Sequence, residues 1–253
     1  MKTYFVGLSA LALVSAANAD VVFDNIPDPL AGNYPSLGYQ ATSTQEFGNK
    51  ITLAGGARLA TDAVFTLSSW AKSSEYPSYN GATTFDHDLT LNIYAAGPGD
   101  TVGALLGTKT QTFSILFRPE VFGFNGIAQN VTFDLSSLSL NLPDTFIYGI
   151  AYNTETHGYN PMGTPGPWNS LNYGVVGSAP TVGTDVDTDD VFWNTSFAGF
   201  YTDLGAGGVN TFRKDTGWTG FTPMAQFNAV PEPATMTALA LGAVAMLRRR
   251  KKA

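Results

Sequence analysis

The 253-residue chain contains no cysteine. Disulfide bonds, thiolate metal sites and cysteine nucleophiles are therefore excluded. A folded domain in this chain must be stabilised by its core rather than by covalent cross-links. Residues 20–229 are numerous enough to bury such a core, and their number is ordinary for a single all-β domain.

Basic residues are scarce in the body of the chain. Six of the 13 Lys and Arg lie in the terminal segments, so residues 20–229 hold 7 basic against 19 acidic residues, a net charge of −12. An acidic surface repels phosphate backbones, so we predict no nucleic-acid partner and no attraction to anionic lipid. Divalent cations and neutral sugars stay compatible with this charge.

Residue types for acid–base and nucleophilic chemistry are also few. The two histidines are His87, which lies between two aspartates and is expected to be exposed, and His157, in a glycine-containing loop. No Gly-x-Ser-x-Gly nucleophile elbow accompanies them. Paired carboxylates could serve a glycosidase, but the glutamates at 46, 75, 120 and 155 lie in no motif. We predict no catalytic residues and no enzyme, with a secreted glycan hydrolase or lyase as an alternative.

Long apolar runs are confined to the two ends of the chain. At the N-terminus, Lys2 precedes an apolar stretch at 4–14, and a small-x-small sequence ends at Ala19. This is the pattern of a secretory signal peptide, residues 1–19, with cleavage between Ala19 and Asp20.

The C-terminal segment, residues 230–253, has three consecutive parts. They are a proline-flanked glutamate, an uncharged apolar run at 234–247, and a basic end at 248–252. As a helix, the 14-residue run would rise only about 21 Å, so it crosses a hydrocarbon core of about 30 Å as a short transmembrane helix only with bilayer thinning or snorkelling arginines. The basic end should stay cytoplasmic, which places the preceding residues outside. The sorting residues are Pro231, Glu232 and Pro233, and the basic end is Arg248, Arg249, Arg250, Lys251 and Lys252.

These three parts, in this order and spacing, resemble the PEP-CTERM sorting signal of Gram-negative bacteria. The resemblance implies recognition by an exosortase, a membrane enzyme that removes the tail, and an association with exopolysaccharide or biofilm. It also implies export through the inner membrane, a membrane-anchored precursor, and a mature form that is at the cell surface or secreted. The resemblance covers about a tenth of the chain and concerns its destination.

The residues between the two ends predict an all-β fold. Residues 89–94 alternate apolar and polar as in a half-buried strand, and a second extended stretch at 108–115 follows a Gly/Pro turn and a long loop, which predicts a hairpin. Residues 131–135 and 146–152 are expected to form another adjacent pair. Further strands are predicted at 51–53, 63–67 and 225–227. Short strands with frequent turn signals favour an antiparallel, jelly-roll-like β-sandwich at 20–229.

Residues 21–228 also resemble the choice-of-anchor domains, a family of exported bacterial domains whose members end in different surface-sorting signals. That family implies no known activity, ligand or catalytic residue. The resemblance is carried by the segments 22–25, 36–44, 46–49, 68–71, 149–154, 170–172, 180–185 and 191–194.

An acidic loop supplies one candidate metal site. Asp185, Asp187 and Asp189 alternate along the chain and could project carboxylates to one side, as oxygen ligands of calcium. The loop departs from the helix–loop–helix calcium pattern, since Asp190 and Ser196 stand where that pattern has glycine and glutamate. A solvated acidic turn is the other interpretation, and we expect no cofactor beyond this structural calcium.

Aromatic residues supply a candidate sugar site. Tyr159, Trp168 and Tyr173 lie among asparagines, glycines and prolines, a composition that favours exposed loops. Sugar-binding sandwiches stack pyranose rings on such side chains. We predict a non-enzymatic surface or matrix protein, and the resemblance to PEP-CTERM signals implies its association with exopolysaccharide or biofilm. A carbohydrate-binding module for the producer's own exopolysaccharide is the first alternative.

Overall fold

The computed structural model describes residues 18–42, 44–120, 126–152, 154, 166–195 and 212–232. Within them the chain is almost entirely strand and turn. The strands are Asp20–Asp24 (β1), Ser36–Gly38 (β2), Thr44–Thr52 (β3), Leu59–Ser69 (β4), Thr84–Ala96 (β5), Val102–Leu116 (β6), Ile127–Asp134 (β7), Thr145–Ala151 (β8), Leu171–Val176 (β9), Thr184–Asp185 (β10), Asp190–Thr195 (β11), Arg213–Thr216 (β12), Thr222–Pro223 (β13) and Ala225–Val230 (β14).

Helical structure in this part of the chain is limited to short turns. The α-helix α1 spans Tyr39–Thr42, and 3-10 turns form at Ser73–Glu75, Pro77–Tyr79, Pro98–Asp100, Ser136–Leu138 and Pro167–Ser170. The predicted signal peptide and the predicted C-terminal helix lie outside the described residues, apart from Ala19 and its neighbour.

The strands form two antiparallel sheets. The first sheet has the order β1-β14-β4-β9-β13, with β2 beside β9 and β7 beside β4; the second has the order β12-β11-β3-β8-β5-β6, with β10 beside β3. Side chains from both sheets pack into one core, in which the Phe65 ring lies 5.7 Å from the Tyr148 ring and 5.7 Å from the Phe227 ring. The all-β prediction is confirmed, and two packed antiparallel sheets are consistent with a β-sandwich. Jelly-roll connectivity stays a prediction.

The predicted hairpin is confirmed, with a shorter connection than expected. Leu89 faces Gln111, and Ala96 faces Val102, so five residues join β5 to β6. In the turn, Gly99 and Asp100 have φ of 62° and 61°, which is the left-handed region.

Two other strand predictions are wrong. The stretches 131–135 and 146–152 are not an adjacent pair, because β7 pairs with β4 in the first sheet while β8 lies between β3 and β5 in the second. The connection between them passes from the first sheet to the second, and Leu135 and Leu142 within it are buried. Residues 89–94 are not half-buried either. Their polar positions, including Thr90 and Asn92, are covered on the outer face of the second sheet.

Two glutamines join the sheets where the edge strands β6 and β7 meet. The side-chain amide of Gln111 donates to the Thr132 carbonyl (3.2 Å) and accepts from the Asp134 amide (3.2 Å). The Gln129 amide does the same for β6, accepting from the Leu116 N–H (2.6 Å) and donating to the Ser114 carbonyl (3.2 Å). Each side chain thus stands in for a peptide group of a neighbouring strand. We call this contact the glutamine seam.

Candidate functional site

The C-terminal sorting residues follow the last strand directly. β14 ends at Val230, which faces Leu59 of β4; Pro231 is half-buried and Glu232 is exposed. Pro233, the apolar run at 234–247 and the basic end at 248–252 lie outside the described residues. Among the residues that are described, no helix is long and apolar enough to cross a membrane.

The predicted signal-cleavage site lies beside the sorting residues. Ala19 and Asp20 are exposed, and β1 begins at Asp20. β1 runs antiparallel to β14, with Asp20 facing Ala229. The first and last residues of the sandwich are therefore neighbours, although 209 positions separate them in sequence.

Residues 229–251 match the family described as the PEP-CTERM protein-sorting motif. This segment is a PEP-CTERM sorting signal. It indicates an exported protein that is targeted to an exosortase, with a membrane-associated precursor. The motif begins at Ala229, inside β14, so the sorting signal overlaps the last two residues of the folded sheet. No curated protein and no solved structure matches the chain significantly.

A buried carboxylate lies on the outer face of the second sheet, where sequence reasoning assigned no site. Glu46 of β3 is fully buried, and its carboxylate accepts hydrogen bonds from the Asn92 amide (2.8 Å) and the Tyr94 hydroxyl (2.9 Å). The Thr108 hydroxyl of β6 donates to the side-chain carbonyl oxygen of Asn92 (2.8 Å). We call these four residues the Glu46 network. Burial and the adjacent carboxylate raise the pKa of Tyr94, so its hydroxyl stays protonated as a donor.

Glycine and aromatic residues enclose this network. A Cβ at Gly149 would lie 2.5 Å from a Glu46 carboxylate oxygen and 2.8 Å from the Phe212 ring, so only glycine fits beside the glutamate. Tyr94, Phe192 and Phe212 belong to a small apolar cluster that is separate from the main core. A buried carboxylate with matched donors is a structural element as well as a candidate binding group.

A group of charged residues continues along the same face. The Lys214 ammonium lies 2.6 Å from the Asp190 carboxylate, 2.9 Å from Asp100 and 3.3 Å from Asp187. Lys50 forms a second ion pair with Asp100. We call these five residues the Lys214 cluster. Hydrogen bonds from Lys50 and Lys214 lower the pKa of Asp100 to about 2, and those to Asp190 and Asp100 raise the pKa of Lys214.

The structure does not bring the three predicted calcium ligands together. Asp185 is buried inside the sandwich, where its carboxylate accepts from Asn49 (3.0 Å) and Thr222 (3.1 Å), and burial raises its pKa. Asp187 faces Lys214, and Asp189 accepts from the Thr219 hydroxyl (2.8 Å).

Asp187, Asp189 and Thr219 line an open surface depression of about 550 Å³. Within the described ranges no three acidic, histidine or cysteine side chains are placed to hold a metal. Calcium binding by this loop stays a prediction. Its ligands would be Asp187 and Asp189, without Asp185.

The predicted sugar-stacking residues separate in the same way. The prediction that Tyr173 is an exposed ring is wrong. Its side chain is fully buried, because β9 places it in the core, and its hydroxyl donates to the Met224 carbonyl (2.9 Å). Tyr159 lies outside the described residues. Trp168 is half-buried on the 3-10 turn before β9, with its ring centroid 6.1 Å from that of His87 at an interplanar angle of 24°.

His87 itself is half-buried rather than exposed. Asp86 and Asp88 point to solvent, but strand alternation turns the intervening histidine inward, against Trp168 and Tyr152. The flanking aspartates therefore gave the wrong prediction for the residue between them. His157 lies outside the described residues.

Proposed function

We propose that residues 20–229 form a non-enzymatic surface or matrix domain that associates with the exopolysaccharide of the producing cell. The observation that carries the proposal is the PEP-CTERM signal at 229–251, joined without a linker to the last strand of the sandwich. The signal requires an exosortase as processing partner, and the apolar run at 234–247 is the membrane contact of the precursor. The net charge of −12 at 20–229 favours neutral polysaccharide over nucleic acid.

The resemblance of residues 21–228 to choice-of-anchor domains supports only the export and surface delivery in this proposal, because that family implies no known ligand. Different members of that family end in different sorting signals, so the anchor and the domain are separable units. In this chain the boundary between those units lies at Val230, where β14 ends.

Substitution of the sorting residues tests the delivery part of the proposal. Pro231→Ala combined with Glu232→Ala should leave an uncut precursor in the inner membrane, whereas the wild-type protein should be recovered outside and lighter by the mass of the tail. The matched control is Pro77→Ala combined with Glu75→Ala, which changes the same residue types at exposed positions of the sandwich. Unchanged release of the Pro231/Glu232 variant would overturn exosortase processing.

A second candidate function, binding of a polysaccharide chain, is favoured by Trp168. The indole N–H is buried and has no hydrogen-bond partner in the described part of the chain, and the ring stacks beside His87. Trp168 also lies near Trp70, which directly follows β4. The C-terminal tail leaves the sandwich beside Leu59, at the opposite end of β4. A sugar site there would face away from the membrane.

Removal of the ring tests this second function. Trp168→Ala should weaken binding to the producer's exopolysaccharide by on the order of 1–3 kcal/mol, the range for bases that stack on aromatic side chains. Trp193→Ala is the control, because Trp193 packs edge-on against Trp218 in the sandwich, 5.3 Å away. Full affinity in a folded Trp168→Ala protein would place the site elsewhere, and no affinity in the wild-type protein would leave the structural function alone.

A further inference from the structure

Both ends of the folded domain leave the sandwich at one place and in one direction. Asp20 at the start of β1 faces Ala229 near the end of β14, in an antiparallel pair. Facing residues in such pairs have Cα atoms about 4.5–5.5 Å apart. Residues before Asp20 and residues after Val230 therefore continue away from the same end of the sandwich, which we call the tail end.

A short connection joins this end to the C-terminal apolar segment. Only Pro231, Glu232 and Pro233 separate Val230 from the apolar run that begins at Ala234, and four residue steps span at most about 14 Å. The headgroup layer occupies roughly 5–8 Å on each side of the hydrocarbon core. For a precursor whose C-terminal run is in the membrane, this leaves at most about 6–9 Å between the end of β14 and the headgroup layer.

Loops and exposed leucines form the surface of the tail end. The loop after β3 returns to the chain ends, since the Ala54 amide donates to the Val22 carbonyl (2.8 Å) and Leu59 faces Val230. The Leu140 carbonyl accepts from Ala60 (2.9 Å), whose register partner is Ala229. On β6, Gly107 lies against the Leu140 side chain, and the preceding Leu105 and Leu106 are 43% and 37% exposed.

We propose that the folded domain of the precursor rests by its tail end on the zwitterionic headgroups of the outer leaflet, and that the exosortase cut is made at this contact. The inference rests on the proposed membrane delivery. The tether brings the two surfaces together, and the acidic domain meets the headgroups through loop backbone and leucine side chains rather than by charge attraction. The sorting residues after Val230 then reach the exosortase while the sandwich stays folded.

The absence of native cysteine makes the contact measurable with single labels. Gly56 is exposed, and a Cβ there meets nothing within 4 Å, so Gly56→Cys places a thiol in the loop of the tail end. Ser78→Cys places one in an exposed turn at the far end, beyond Ser69. The eleven residues of β4 separate the two positions by about 33 Å.

The experiment uses the full-length precursor in phosphatidylethanolamine-rich vesicles that contain a headgroup-spin-labelled lipid. A fluorescent dye at position 56 should be quenched by the spin-labelled headgroups, whereas the same dye at position 78 should not be. In a chain that ends at Val230, the dye should be quenched at neither position. Asn141→Cys, in the neighbouring exposed connection, replaces Gly56→Cys if that variant does not fold.

Two failures are distinguishable. If the precursor sediments with the vesicles but positions 56 and 141 are quenched no more than position 78, the docking contact is overturned while delivery stands. If the precursor does not associate with the vesicles, the membrane delivery under the proposed function fails and takes this inference with it.

Discussion

The two faces of the second sheet are built from the same strands and reach burial by different means. The inner face buries rings and aliphatic side chains, such as Phe47 and Ile51 of β3 against Phe65 and its neighbours. The outer face of the same strand buries Glu46, with hydrogen-bond donors from β5 and a small aromatic cluster around it. A buried side chain in this sheet is therefore not always apolar. The two faces should respond differently to substitution.

The inner face is also not free of charge. Asp185 lies at its margin, with both carboxylate oxygens bonded to Asn49 and Thr222. Burial raises the pKa of this group, so its ionised form is disfavoured in the folded state and it opposes folding as the pH rises through its titration. The inner face thus tolerates an acid only where sheet and loop can each supply a donor.

The largest expected effect lies on the inner face. Phe65→Ala removes a fully buried ring that contacts Phe133, Tyr148 and Phe227, and should lower the free energy of unfolding by about 3–5 kcal/mol. Denaturant titration of residues 20–230 measures it. The control is Phe221→Ala, where the ring is 47% exposed and the change should stay within about 0.5 kcal/mol. Equal losses for the two variants would contradict the proposed core.

The Glu46 network provides the next prediction. Glu46→Ala leaves the buried Asn92 amide and Tyr94 hydroxyl without this acceptor, at a cost of about 1–3 kcal/mol for each unsatisfied group. Glu46→Gln keeps a carbonyl acceptor and almost the same volume, so it should lose clearly less. The same denaturant titration distinguishes them. An alanine variant as stable as the glutamine variant would show that apolar packing, not hydrogen bonding, carries the outer face.

The smallest effect is expected in the Lys214 cluster, where the groups are partly exposed. Lys214→Met should lower the melting midpoint by only a few degrees near neutral pH, since exposed ion pairs contribute about 0–1 kcal/mol each. The pKa of Asp100 is lowered to about 2, so its stabilising contribution is present above the unfolded value of 3.8 and is lost as the pH falls towards 2. The wild-type midpoint should therefore fall more steeply than the variant's over that interval.

Ionic strength is the check on this last prediction. Salt screens partly exposed pairs, so the difference between wild type and Lys214→Met should shrink in molar salt. A difference that is independent of salt and of pH would mean that the lysine stabilises through its methylene packing instead.

Sequence reasoning succeeded where the signal is local. The sorting signal was predictable because its three chemical parts are contiguous, and the all-β class because alternation and turn residues are short-range properties. Strand partners are long-range: 131–135 and 146–152 are close in sequence, but their apolar positions are buried in opposite sheets.

The burial of Tyr173 and the Glu46 network could not be predicted for the same reason. Tyr173 shares its polar sequence neighbourhood with Trp168, yet the six-residue strand that begins at Leu171 carries the tyrosine into the core. Glu46 lies in no sequence motif, and its partners Asn92 and Tyr94 are 46 and 48 residues away, so the local sequence gave no signal for this network. Only the pairing of β3 with β8, and of β8 with β5, brings them together.

The glutamine seam affects whether copies of this domain associate with one another at high concentration. Edge strands with free backbone groups are templates on which another chain can add a strand, and repeated addition produces fibres. In β6 and β7 the Gln111 and Gln129 amides already occupy backbone donors and acceptors along the facing edges. At high concentration such domains are thereby protected from strand-by-strand polymerisation along this pair of edges, without the closure of a full barrel.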